Sequence, residues 1–292
     1  IGHFPNITHA QALVAAQLSR QGKGWFETYI PGVTMQWFVY NAGPSAMEAM
    51  IAGSIDVTYV GPNPVLNTYS RSKGQEIRVL AGAAAGGTAL VVQGDGSISK
   101  PADFKGRKLA TPQLGNTQDV SARAWLQKQG FKITQLGGDV LVLPTQNPDQ
   151  LALFQQKKLD AVWTVEPWVT RLEREAGGKI FLEDTESLVT VLASSVKFLR
   201  EKPELAKKLV AAHLALTKWI IDNPAEAQAL IRAELKEQTK RDFPADTAAV
   251  AWKRLKFDGA VSRDQFEVLV KDAQTVGFLK DAAPLDQLVV AP

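Results

Sequence analysis

One pattern narrows what this chain can fold into: a strand, a polar turn and an amphipathic helix, written twice. Asn6–Gly22 (NITHAQALVAAQLSRQG) lies over Leu114–Gly130 (LGNTQDVSARAWLQKQG) without a gap. The overlay places Ala16 on Ala124, Leu18 on Leu126 and Gln21-Gly22 on Gln129-Gly130. A second pair follows at nearly the same offset. Gly53–Val65 (GSIDVTYVGPNPV) lies over Lys157–Val169 (KKLDAVWTVEPWV), with Asp56 on Asp160 and Tyr59 on Trp163. Each copy of the second pair is a helix end, an acidic residue, a short β-prone run and a Pro-bearing turn into another helix. Two α/β halves of like construction are therefore expected. In the clearest copy, Lys108–Ala110 is a strand and Gly115-Asn116-Thr117 a turn. Ala122, Trp125, Leu126 and Gln129 then recur at helical spacing. A capped helix start of this kind presents free N–H groups and the positive end of the helix dipole, which suits an anion.

Composition removes several alternatives. The 292 residues are 45% apolar and 22% charged with a net charge of +3, a globular balance long enough for two domains and without the basic stripe of a nucleic-acid binder. Cysteine is absent, so disulfides, thiolate catalysis and cysteine-held metals are excluded. His3, His9 and His213 lie on separate segments without metal-ligand spacing, and neither a metal nor a cofactor is expected. No apolar run approaches the roughly 20 residues of a membrane span. The chain opens on Ile1-Gly2-His3-Phe4 without an initiator Met. The expectation is a precursor whose first residues, a secretion signal or lipid-anchoring segment, are missing.

Taken in order, strands are expected at 1–4, 34–40, 55–60 and 77–83. Helices are expected at 8–20, capped by Thr8, at 45–52, with Met47, Met50 and Ile51 inward, and, after a turn at Gly61–Pro64, up to Arg71. The alternation describes a parallel sheet covered on both faces. The small residues Ala84–Thr88 read as a first hinge crossing. A second half follows, with strands at 108–110, 140–143 and 160–163, helices at 117–129, 147–157 and 167–175, and a return strand at 190–192. From Pro203 the pattern is four helices, 203–222, 224–239, 246–256 and 262–276, with no strand between them.

The landmarks AGPSAMEAMIAGSIDVTYVGPNP, KGRKLATPQLGNTQDVSARAWLQKQG and LDAVWTVEPW, in this order and spacing, resemble the solute-binding proteins of ABC importers for aliphatic sulfonates, taurine and nitrate. The resemblance implies an α/β, two-lobe periplasmic-binding-protein (Venus-flytrap) fold with two hinge crossings and a C-terminal helical tail. It divides the chain into lobe I, 1–86 and 192–292, and lobe II, 87–191. It further implies a periplasmic or extracytoplasmic monomer that is not an enzyme, closes on a small anionic or zwitterionic ligand and docks on an ABC permease. The ligand-facing positions it carries over are Asn6, Thr8, His9, Gly61, Pro62, Asn63, Gly115, Asn116, Thr117 and Gln118, with Thr88 near the hinge. Trp163 and Trp168 bracket Glu166, so an aromatic wall is also expected, with a carboxylate that either reads an ammonium group or repels a doubly charged ligand. Sulfonate-binding relatives often have Ser-rich turns and Trp-Asp-Pro where this chain has Gly-Asn-Thr and Val165-Glu166-Pro167. Two alternatives stay open: a sensory domain of a signalling system, and a binder of a flat heterocycle such as a thiamine-precursor pyrimidine.

Overall fold

The computed structural model describes residues 1–135 and 137–290. The first half runs β1 (Gly2–His3), a 3-10 turn (Ile7–His9), α1 (Ala10–Arg20), α2 (Trp25–Tyr29), β2 (Phe38–Val39), α3 (Gly43–Ile51), β3 (Val57–Val60), α4 (Pro62–Arg71) and β4 (Ile77–Gly86). After Gly87 the chain continues as β5 (Thr88–Val92), β6 (Lys108–Thr111), α5 (Thr117–Lys128), β7 (Leu141–Pro144), α6 (Asn147–Gln155), β8 (Ala161–Val165), α7 (Trp168–Ala176) and β9 (Lys179–Asp184). It then returns through β10 (Leu188–Ser195) to α8 (Val196–Glu201), α9 (Pro203–Asp222), α10 (Pro224–Thr239), α11 (Ala245–Trp252), β11 (Leu255–Phe257) and α12 (Arg263–Thr275).

Two sheets result, ordered β11-β4-β10-β3-β1-β2 and β7-β6-β8-β5-β9. Their cores are the same: β1 pairs in parallel with β2 and β3, and β6 in parallel with β7 and β8. Beside each triplet lies one antiparallel strand next to a crossing, β10 in the first sheet and β5 in the second. The expected all-parallel sheets are corrected in this respect. The repeat in the sequence is thus a repeat of topology, with β1-α1 equivalent to β6-α5 and β3-α4 to β8-α7. Both sheets are sandwiched, each face carrying its own cluster of buried apolar side chains.

The crossings are short. Gly86 and Gly87 have φ of 71° and 65°, a left-handed conformation that side chains disfavour, and a Cβ on Gly86 would lie 2.6 Å from the Arg254 carbonyl. The expected flexible stretch 84–88 is strand up to Gly86. The return crossing is Thr185–Ser187, since Leu188 already pairs with Ala85 in the first sheet. The expected boundary at 191/192 therefore falls inside β10.

The tail behaves differently from the expectation of four helices without a strand. Residues 255–257 form β11, which pairs antiparallel with β4, and α8 precedes the first expected helix. Helices α9, α10 and α11 contribute to the core on one face of the first sheet, and α12 to the core on the other through Phe266 and Ala273. Within α3, Met47 and Met50 are buried as expected, but Ile51 is 58% exposed. At the start of α1 the expected Thr8 cap gives way to the 3-10 turn, and no side chain caps the helix.

Candidate functional site

In parallel α/β sheets, binding sites form at the carboxyl ends of the strands, where the following helices begin. Here six such ends, three from each sheet, meet around one cavity. Phe4, Asn6, Thr8 and His9 follow β1; Asn41, Ala42 and Gly43 follow β2; Gly61 and Pro64 follow β3. From the other sheet come Pro112, Asn116, Thr117 and Gln118 after β6, Asn147 at the start of α6, and Val165 at the end of β8. The cavity offers about 20 Å³ to the centres of water-sized molecules, which as a sphere is a void roughly 6 Å across. Among the described residues no Asp, Glu, Lys or Arg lines it.

The walls meet directly. Trp168 Nε1–H donates to Asn6 Oδ1 at 3.0 Å, Asn41 Nδ2–H to the Pro112 carbonyl at 3.3 Å, and the Asn63 backbone N–H to Thr117 Oγ1 at 3.4 Å. Gly61 is required here by proximity, because a Cβ on it would stand 2.5 Å from Thr117 Oγ1.

Local chemistry fixes which atoms remain free to donate. His9 Nδ1 accepts the Phe4 N–H at 3.3 Å, so the neutral ring carries its proton on Nε2. Burial holds His9 well below the usual imidazole range, and the helix start it occupies also disfavours a cation. Asn116 caps α5, its Oδ1 accepting the Asp119 N–H at 2.9 Å, while its Nδ2 donates to Gln118 Oε1 at 3.0 Å. That bond leaves the Gln118 amide N–H groups available. Asp119 is itself held by Arg123, Thr111 and the Gly115 N–H, which rigidifies the turn. Asn63 is buried, and neither Oδ1 nor Nδ2 finds a hydrogen-bond partner among the described residues.

Seven of the sequence-derived positions line the cavity: Asn6, Thr8, His9, Gly61, Asn116, Thr117 and Gln118. Pro62 and Asn63 form the adjoining first turn of α4. The others lie elsewhere. Gly115 faces a neighbouring groove between α3 and α4, and Thr88 and Trp163 face a separate interlobe space. Glu166 requires the largest correction. It is 0% exposed and accepts from Arg254 at 2.9 Å, from Thr170 Oγ1 at 2.8 Å and from the Thr170 N–H at 3.1 Å. Burial pushes its carboxyl above the usual range while these partners pull it down. Its oxygens are engaged by Thr170 and by a guanidinium that also holds Glu173 and Glu183. Asn41, Gly43 and Asn147 were missed, although each sits at a strand-turn-helix joint of the kind that flagged Asn116.

Among the described residues there is no cluster of three or more metal-ligating side chains, and no helix is long and apolar enough to cross a membrane. A model of the NMT1-like family matches residues 1–234. The chain belongs to that family. Over 200 residues it is 28% identical to the taurine-binding periplasmic protein of Escherichia coli, covering 66% of this chain and 59% of that protein. The matched stretch thus spans less than two thirds of that relative's length. The NMT1-like chain shares its fold with the alkanesulfonate-binding protein SsuA of Xanthomonas axonopodis pv. citri bound to MOPS. That match has a TM-score of 0.78 at 15% identity and covers 100% of this chain and 97% of that one. The desulfurization enzyme DSZB has the same fold at a TM-score of 0.64 and 16% identity, over 100% of this chain and 96% of its own. The architecture is therefore the two-lobe periplasmic-binding-protein fold.

Proposed function

We propose that this chain is the extracytoplasmic solute-binding component of an ABC importer, and that its lobes close on the head group of a small, singly charged oxyanion such as a sulfonate. The observation that carries this reading is the convergence of strand ends and helix starts from both sheets on one cavity whose described lining carries no formal charge. Helix starts and neutral donors stabilise a monoanion, whereas a dianion would bring a second charge with no cation to meet it. The lobes we assign are residues 1–86 with 188 onward, and 88–184, with the hinge between them. Residues 291 and 292 of the expected first lobe lie outside the described residues.

Binding without catalysis fits the same atoms. With Nδ1 occupied by the Phe4 N–H, His9 offers a donor and no free base, and the chain has no cysteine nucleophile. A buried amide without partners is costly, and the Asn63 side chain is accounted for if a ligand oxygen or an ordered water completes it. The test is a thermal-shift panel of methanesulfonate, taurine, nitrate, sulfate and an aminopyrimidine. The reading expects the monoanions to raise the melting temperature more than sulfate does. A shift with the aminopyrimidine alone would transfer the proposal to a heterocycle.

A further inference from the structure

Helix α5 starts at the cavity and is gripped along its length by the other lobe. Val120, 2% exposed, is the one residue of lobe II, among the described residues, in an apolar cluster otherwise built by lobe I, which holds Met47, Leu66 and Phe266. One turn on, the Arg123 guanidinium lies 5.8 Å from the centroid of the Phe278 ring. In the last turn Lys128 Nζ pairs with Asp272 Oδ1 at 2.7 Å. Helical spacing puts Val120, Arg123 and Lys128 within one half of the α5 circumference. Asp272 belongs to α12 and Phe278 to the segment after it, and α12 is seated on lobe I through Phe266 and Ala273. None of these five interlobe side chains, Val120, Arg123, Lys128, Asp272 and Phe278, lines the cavity. The hinge side is built differently: Arg254, paired with Glu166, Glu173 and Glu183, has its carbonyl against Gly86, where a rotation of the lobes displaces atoms least.

We propose that α12 and Phe278 form a clasp on α5, which holds the lobes together without any contact to the ligand and so sets how much of the chain is closed before a ligand arrives. This rests on the lobe assignment above and not on the identity of the ligand. Opening at the hinge must expose Val120, part the Arg123 guanidinium from the Phe278 ring and break the Lys128–Asp272 pair. Each contact is modest: one buried apolar side chain, one cation–π contact and one partly exposed ion pair. Together they act on a single rigid helix whose first turn donates to the cavity. The ionic part weakens as salt is added. A binding-competent state that is only partly populated lowers apparent affinity by that fraction, so residues remote from the cavity set the affinity of whatever the cavity holds.

The test needs no ligand. The chain has no cysteine, so a Val120→Cys variant carries one thiol, buried while the lobes are together, and its rate of reaction with a soluble aromatic disulfide reads the open fraction. A Cβ on Gly61 would stand 2.5 Å from Thr117 Oγ1, so Gly61→Trp in the same background wedges the lobes apart and supplies the rate of the open form. The clasp predicts a slow thiol in the unwedged chain. Lys128→Asp and Asp272→Lys, at side chains 60% and 25% exposed, should each speed labelling by about threefold. Both exchanges together should restore the slow rate, and Phe278→Ala should speed it. Rates unmoved by either reversal, or raised by each and not restored by the pair, overturn the clasp. Unwedged and wedged chains that both react like a free thiol overturn it as well, since the lobes then stand apart unaided. If both react slowly, Gly61 and Val120 do not lie on faces that part, and the lobe assignment fails together with this inference.

Discussion

Lowering the pH from 7 to 5 should destabilise this protein through its histidines. His3, His9 and His213 are all buried, and each has a donor directed at its unprotonated nitrogen. The Gln238 amide meets His3 Nε2 at 2.7 Å, the Phe4 N–H meets His9 Nδ1, and the Tyr59 hydroxyl meets His213 Nδ1 at 2.9 Å while His213 Nε2–H donates to the Gly82 carbonyl. Burial lowers His3 to about 3 and His213 to about 4, and takes His9 well below its ordinary value. The folded chain therefore stays neutral at these sites, whereas the unfolded chain takes up protons below about pH 6.5. Folded values below unfolded ones mean that stability is lost as pH falls through this window. Between pH 7 and 5 the loss is about 2 kcal/mol per histidine, or roughly 5 to 6 kcal/mol in all. Glu166, raised by burial, opposes the trend and trims the total. Since whole domains are stable by only about 5 to 15 kcal/mol, the effect is large. Urea denaturation followed by tryptophan fluorescence should show a midpoint at pH 5 lower by about 2 M, for a slope near 2 to 3 kcal/mol/M. A His213→Gln variant should lose about a third of the pH dependence. A midpoint unchanged between pH 7 and 5 would refute the reasoning.

Other consequences are equally specific. Gly61→Ala should weaken binding of any head-group ligand at least tenfold while leaving the ligand-free melting temperature nearly unchanged. Its φ of −67° tolerates a side chain, and the clash is with Thr117 across the cleft; calorimetry and calorimetric melting together check this. Glu166→Gln should cost about 3 kcal/mol of stability by leaving part of the Arg254 charge unpaired, yet should not alter the preference between taurine and an uncharged-tail sulfonate. A selective loss of taurine binding would restore the ammonium-reading role. Asn116→Ala should cost about 1 kcal/mol of stability through the lost cap, and should weaken binding further because Gln118 loses the bond that orients it. Since His9 is a neutral donor, affinity should be flat between pH 6 and 8; a rise towards pH 6 would show an imidazolium in the site.

Legibility in the sequence followed locality. Helices 203–222 and 224–239 were read to the residue because proline marks each start and a long amphipathic run follows. The strand expected over 34–40 shrinks to Phe38–Val39 at the sheet edge, where it has β1 alone as a partner. Strand β11 was missed because its three residues gain their identity from β4, far away in the chain. The doubled motif located both strand-to-helix turns, at Thr8 and at Asn116, although only Asn116 caps its helix. Asn147 escaped because its copy in the first half, the turn Asn41–Gly43, shares position and not residues. Glu166 was misplaced for the opposite reason: its partner Arg254 lies 88 residues along the chain, and nothing near Val165-Glu166-Pro167 announces it.

The central claim is that two lobes hold one anion between their helix starts, with His9, Thr117 and Gln118 donating. Titration of methanesulfonate into the native chain and into a Thr117→Ala, Gln118→Ala variant, each checked for an intact fold, tests it most directly. The account predicts saturable one-to-one binding by the native chain and a loss of at least tenfold in the variant. Equal affinity in the two proteins would contradict it.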